Sequence, residues 1–333
     1  EKIVSQFEAL GYAVELQAGT VSVPRLNQLV VPTEIEIDLT NIIARRIRTE
    51  RPSNTKKPLL LVAALEGGAF TIDTLIDTSP GRMQLNGKML SDPRNYGEIS
   101  VSRVIEKSSQ VGVTKISQAV GHESLLDVYR RFGFGAKSAV GFPGERSGLV
   151  PNREHWADIE KATLAFGYGL TTTPLQLAQA YAVFANQGLR VPLTLLKRSA
   201  NEHLHSERVI AAEIAEQVLT VLERVTGEHG TATRARVAGF SVGGKTGTVH
   251  KVGAQGYIDD QYLALFVGIA PMNEPRYVTA IVVDQPVGDD YGGGAAAAPI
   301  YARITEGVLR LRNATPRIEV SSEIRLASLG AEQ

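Results

Sequence analysis

The chain has 333 residues, 43% hydrophobic and 21% charged, enough to bury a sizeable core in one large domain or two ordinary ones. Thirty-five Lys and Arg balance thirty-five Asp and Glu, so no net field gathers nucleic acid or anionic lipid. Cysteine is absent, which excludes disulfides, thiolate metal sites and cysteine nucleophiles. The six histidines are scattered, and His203 with His205 has no partner cluster, so neither a metal nor a cofactor is expected.

No apolar run approaches the length of a membrane span, and the longest, Leu59–Leu65, has the length of a buried helix. The chain begins at Glu1 rather than Met and shows no signal peptide, so it reads as a piece of something longer whose anchor lies elsewhere.

In chain order, residues 1–34 carry a short helix over Ile3–Leu10 and a strand-like Tyr12–Leu16, too little for a domain and readable as the remnant of a preceding module. Glu34–Leu39 alternates polar and apolar residues with period two, the pattern of a half-buried strand. The basic stretch Arg45–Arg48 reads as a solvated face. Pro52 and Ser53 are helix-start signals, Gly67 and Gly68 stop signals, and the helix between them is apolar on nearly every side. A strand pair is expected around Met83–Met89 and a helix over Val101–Ile116, broken at Lys107–Gly112. Leu125–Phe132, Ile159–Phe166, Leu175–Ala185 and Ile210–Val225 read as helices, the third introduced by Thr173 as cap and Pro174 at its first position. Tyr262–Ile269 and Tyr277–Asp284 read as strands, as does the approach to Tyr291, and Ile300–Leu311 as a closing helix. Helices in the middle with strands at both ends predict an α+β domain over 35–315, its antiparallel sheet assembled from distant parts of the chain, followed by a tail over 316–333.

Three stretches carry candidate chemistry. Ser53 stands three residues before Lys56 and four before Lys57, so either amine falls one helical turn from the hydroxyl. A lysine held among apolar groups loses proton affinity and can act as a base toward that hydroxyl; the plainer alternative makes Ser53 a helix cap and leaves both lysines solvated. At the break in the second helix, Ser108, Ser109 and Gln110 offer two hydroxyls and a carboxamide, suited to holding peptide amides or simply to capping. In Gly243-Gly244-Lys245-Thr246-Gly247-Thr248 a strand presents an ammonium and a hydroxyl at one rim, and Gly247 lets a ligand lie against the backbone.

A Ser-x-x-Lys helix start, a Ser-x-polar break and a Lys-Thr-Gly strand, in this order, resemble the motif set of penicillin-binding proteins and serine β-lactamases. Further stretches sharpen the likeness to class B penicillin-binding proteins, the septal cell-division transpeptidases of Gram-negative bacteria above all: Lys57-Pro58, Val62–Gly68, Lys107–Lys115, Gly141–Gly148, Ala165–Leu170 and Tyr291-Gly292-Gly293. The resemblance implies an antiparallel five-stranded sheet with helices on both faces. It also implies a serine that attacks the penultimate D-Ala of a peptidoglycan stem peptide and is acylated by β-lactam antibiotics. By the same likeness Lys245 and Thr246 bind the substrate carboxylate, and Ser108 relays protons. The Thr248 and nucleophile N–H groups form an oxyanion hole, worth about 3 kcal/mol per donor. Gln110 stands where the family has a substrate-binding Asn, and Tyr291 and Gly292 border the cleft. Cell-division proteins are the implied partners, and the periplasmic face of the inner membrane is the implied location.

Counted without a gap from Lys57-Pro58, the family's serine position holds Asn54; counted literally, Ser53 and Lys56 make the motif. One residue of helix is a turn of about 100°, so the two alignments aim different side chains at the cleft. The segment from Leu39 to Lys57 is also shorter than its counterpart in the family. Two readings stay open, a working acyltransferase with a shifted serine and a catalytically silent relative that serves as a divisome interaction module.

Overall fold

The computed structural model describes residues 15–17, 20–22, 54–138, 140, 145–195, 205–253, 256–288 and 290–316. The helix expected over Ile3–Leu10, the strand over Glu34–Leu39, the basic stretch Arg45–Arg48, the loop at Gly141–Gly144 and Ser53 lie outside the described residues. Within residues 1–34 the described part is an antiparallel pair, β1 (Glu15–Gln17) with β2 (Thr20–Ser22).

Helix α1 (Lys57–Glu66) is the axis of the domain, and Lys57 to Ala64 are all buried. Leu, Val and Ala fill its circumference, Pro58 sits in the first turn where its missing N–H costs nothing, and Gly67-Gly68 ends it, Gly68 with φ 70°. The start differs from the sequence reading. The cap position is Lys56, with no side-chain cap bond, and the turn leading in is tied by Lys57 N–H to the Asn54 carbonyl at 3.1 Å. The solvated-lysine alternative is overturned as well, because Lys56 and Lys57 are both fully buried.

Helices α2 (Val101–Glu106), α3 (Gln110–Val120), α4 (His122–Arg131) and α7 (Ala212–Thr226) pack around α1, with α5 (Asp158–Leu164) lying against α3 and α4 and α6 (Pro174–Ala185) against α7. Their ends follow the capping residues of the sequence: Ser100 accepts from Arg103 N–H, Ser109 from Gly112 N–H, and Thr173 exchanges bonds with Gln176 in a capping box. The break between α2 and α3 is tight, and a side chain at Gly112 would meet Val104 at 2.6 Å. Short ladders decorate this body: β3 (Leu75–Asp77) with β6 (Glu98–Ser100), β4 (Arg82–Leu85) with β5 (Lys88–Ser91), and β7 (Leu189–Arg190) with β8 (Glu207–Arg208). The β4–β5 pair is the one expected around Met83–Met89.

The main sheet has the order β11–β10–β9, all antiparallel, built from β9 (Gly243–Gly253), β10 (Gly256–Ala270) and β11 (Tyr277–Asp284). Alternation along β10 sorts its two faces. Leu263, Leu265, Val267 and Ile269 join the core around α1, α6 and α7; Ala264, Phe266 and Ala270 join a second core with Tyr301 and Leu309 of α8 (Ala298–Leu311). Gly268 leaves room for the Tyr301 ring, which a Cβ would approach to 2.5 Å. The domain is α+β, with helices on both faces of an antiparallel sheet. Among the described residues this sheet has three strands where the resemblance implies five, and the approach to Tyr291, read as a strand, is loop.

Candidate active site

The site forms where α1, the α2–α3 break and β9 converge. On β9 the side chains alternate. Lys245 turns toward α1 and is fully buried, while Thr246 and Thr248 face the other way, toward the π-helical turn Gly293–Ala297. Thr248 Oγ1 accepts from Gly293 N–H at 3.0 Å. Gly293 lies so close to β9 that a Cβ there would collide with the Gly247 and Leu265 carbonyls. Glycine at 293 is therefore what lets this turn form one side of the rim.

Ser108 is the meeting point. It holds φ at 57°, a left-handed conformation that few non-glycine residues adopt. Lys57 Nζ donates to its carbonyl at 2.7 Å and to its Oγ at 2.9 Å, and Lys245 Nζ donates to the same Oγ at 3.2 Å. Lys245 also reaches Thr246 Oγ1 at 3.4 Å. One hydroxyl thus touches two amines from segments far apart in the chain. Burial pushes the Lys245 ammonium down to about 7. Lys57 is held well below the usual lysine range, first by burial and then by the charge of Lys245, with Asp92 pulling the other way. Lys245 is therefore neutral for part of the time near neutral pH, and the lowered proton affinity of Lys57 is what favours an amine able to take a proton from a hydroxyl.

The other residues expected from sequence are placed unevenly. Lys56 is not at the site. Its Nζ lies over the rings of Phe134 and Tyr129, 4.6 and 5.5 Å from their centroids, and has no hydrogen-bond partner. Of the two lysine alternatives, Lys57 is the one that faces Ser108. Asn54, three residues before it, is left-handed with φ 63°, and its N–H is spent on the Phe166 carbonyl at 2.9 Å. Gln110 opens α3 with its side chain exposed. Tyr291, 40% exposed, stacks on Tyr262 with centroids 3.8 Å apart, and Gly292 lies beside Thr248 Oγ1. Asp92 went unread in the sequence, because a lone Asp-Pro after a hairpin carries only a turn signal. A cavity of about 820 Å³ lined by Glu223 and Arg236–Val242 lies elsewhere and includes none of these residues.

Residues 44–306 match the penicillin-binding protein transpeptidase domain family. The chain belongs to that family. The transpeptidase domain is 38% identical over 265 residues to the peptidoglycan D,D-transpeptidase FtsI of Escherichia coli K12, covering 80% of this chain and 44% of that protein. It is 36% identical over 262 residues to a probable peptidoglycan D,D-transpeptidase, PbpC, of Pseudomonas aeruginosa, covering 79% of this chain and 46% of the relative. The chain thus spans about half the length of the curated relatives it matches. Among solved structures, the transpeptidase domain of Burkholderia pseudomallei penicillin-binding protein 3 superposes with a TM-score of 0.78 at 36% identity, covering 82% of this chain and 83% of that one. Penicillin-binding protein 3 of Mycobacterium tuberculosis, solved with aztreonam, superposes with a TM-score of 0.72 at 33% identity, covering 80% and 64%.

In chemical terms the transpeptidase domain offers a buried base, a bridging hydroxyl and a second cation beside a strand edge. That set can deprotonate a hydroxyl, hold a carboxylate and return a proton to a leaving amine. Among the described residues no group of His, Asp or Glu is arranged to hold a metal ion.

Proposed function

We propose that this domain performs the acyl transfer of a peptidoglycan D,D-transpeptidase in septal wall synthesis and is acylated by β-lactams, with Ser53 as the nucleophile. The observation that carries the reading is the bond pair from Lys57 and Lys245 to Ser108 Oγ beside an intact Lys-Thr-Gly-Thr strand. The stem peptide's terminal carboxylate binds Lys245 and Thr246. The Ser53 hydroxyl attacks the penultimate D-Ala carbonyl while Lys57 accepts its proton. Collapse of the intermediate breaks the C–N bond, and the proton returns through Ser108 to the departing D-Ala amine. The acyl group then passes from Ser53 to the neutral amine of a neighbouring strand: the new C–N bond forms as the ester C–O bond breaks, and the proton lost by the amine returns to the Ser53 oxygen. Thr248 N–H supplies one oxyanion donor. The likeness to FtsI supports a place at the periplasmic face of the inner membrane among cell-division proteins, and a sheet completed to five strands by addition at the β11 edge.

A second reading is favoured by one observation. The residue three positions before Lys57 is Asn54, which has no hydroxyl and whose N–H is occupied by Phe166. On this reading the cleft recognises the peptide without acylation. A fluorescent penicillin separates the two: label that survives denaturing electrophoresis supports acyl transfer, saturable binding lost on denaturation supports recognition alone, and no binding sinks both.

A further inference from the structure

Asp92 follows β5 and is nearly buried, 9% exposed, with its backbone N–H fixed to the Gly81 carbonyl at 2.8 Å. Its carboxylate takes three bonds from the start of α3. Oδ2 accepts from Ser109 Oγ at 2.5 Å, and Oδ1 from the N–H groups of Gln110 and Val111 at 2.5 and 3.3 Å. Ser109 in turn accepts from Gly112 N–H at 2.9 Å, so the exposed donors of the helix end are all engaged. The residue just before this clamp is Ser108.

We propose that Asp92 is a positioning residue of the site: by tethering Ser109, Gln110 and Val111 it holds Ser108 in the left-handed turn that presents Oγ to both Lys57 and Lys245. A left-handed serine costs about 1 kcal/mol or more and persists only where its neighbours over-determine it. Here the over-determination has two sides, the Lys57 bond to the Ser108 carbonyl and the Asp92 clamp on the next three residues. The second consequence is electrostatic. The charges bearing on Lys57 are Lys245, which lowers its proton affinity, and Asp92, which raises it, while the Phe166 ring faces its ammonium at 5.4 Å. Asp92 therefore sets where Lys57 changes protonation as well as where Ser108 stands.

This inference rests on the transpeptidase reading for its rate measurements but has a readout independent of turnover. Asp92→Asn keeps the size and one acceptor oxygen and removes the charge. Penicillin acylation of Asp92→Asn is expected to slow about tenfold at saturation, with the dissociation constant of the initial complex unchanged because Lys245 and Thr246 are untouched. The limb on which acylation rises with pH is expected to move about one unit lower. Ser109→Ala, which keeps the charge and loses a tether, should slow acylation without moving that limb. Lysine-selective ¹³C NMR, with Lys57→Arg assigning the signal, should show the Lys57 midpoint falling in Asp92→Asn whether or not the protein is acylated. A wild-type protein that is never acylated overturns the transpeptidase reading and leaves the NMR result to decide Asp92. An unmoved Lys57 midpoint, or a loss of thermal stability alone with rate and pH limb unchanged, overturns the positioning role and leaves Asp92 a helix cap.

Discussion

Two adjacent lysines show how far local sequence reaches. Lys56 and Lys57 are chemically identical, and spacing allowed either to serve Ser53. The rotation of α1 sends one to Ser108 and the other among aromatic rings. That rotation depends on where the helix starts, and the Ser53 and Pro52 signals place its start earlier than the structure does. Lys56 has consequences of its own. Its amine is fully buried without a hydrogen-bond partner, and burial holds its proton affinity well below the ordinary lysine value of 10.5. The unfolded chain binds this proton more readily than the folded one, so stability must rise with pH from the lowered folded value up to about 10.5. Lys56→Met, which fills the same space without the amine, is expected to stabilise the domain at pH 7 by about 2 kcal/mol, the scale of an orphaned buried polar group. Thermal melts at pH 7 and 9.5 check both statements. Wild type should gain more on raising the pH than Lys56→Met does, and equal gains would refute the assignment.

At the scale of elements, the helices were legible because each carries its own punctuation. Thr173-Pro174, Ser109 and the Gly67-Gly68 pair mark ends that depend on nearby residues only. The strand pair β10 and β11 was legible from period-two apolar runs. The π-helical turn at Gly293 was not, since its form follows from contact with β9, a partner that the local sequence does not name. Gly293→Val tests that contact: its side chain would collide with the Gly247 and Leu265 carbonyls, push the turn off β9 and release Thr248 Oγ1. Penicillin affinity is expected to fall at least about tenfold, in line with about 1.4 kcal/mol of lost binding. Unchanged affinity in a folded variant would show that the turn does not shape the rim. Strand β11 poses a separate question. Residues on its two faces pack against the cores on either side of the sheet, yet none of its eight residues is buried, as an open outer edge allows. If further strands complete the sheet there, β11 amides pointing away from β10 should exchange as slowly as those of β10. Fast exchange of alternate amides would instead leave β11 as the edge.

Across the whole molecule, family membership was readable from motif order, because the stretches from Lys57 to Gly293 follow one another along the chain within the matched residues 44–306. The convergence itself was not. Nothing near Ser108 in the chain specifies that Lys57 and Lys245 will both reach its Oγ, and that is the feature from which activity is argued. Nor does the balanced charge of thirty-five against thirty-five hint that Lys56, Lys57 and Lys245 are fully buried together. All three have lowered proton affinities, so the fold as a whole should tighten as pH rises above neutrality. This assembly is expected to transfer an acyl group through Ser53. Intact-mass spectrometry after saturation with benzylpenicillin, followed by peptide mapping, tests it most directly. One added penicillin per chain is expected, located on Ser53 and absent from Ser53→Ala; an unmodified protein at saturating drug, or an adduct on another residue, would rule out acyl transfer through Ser53.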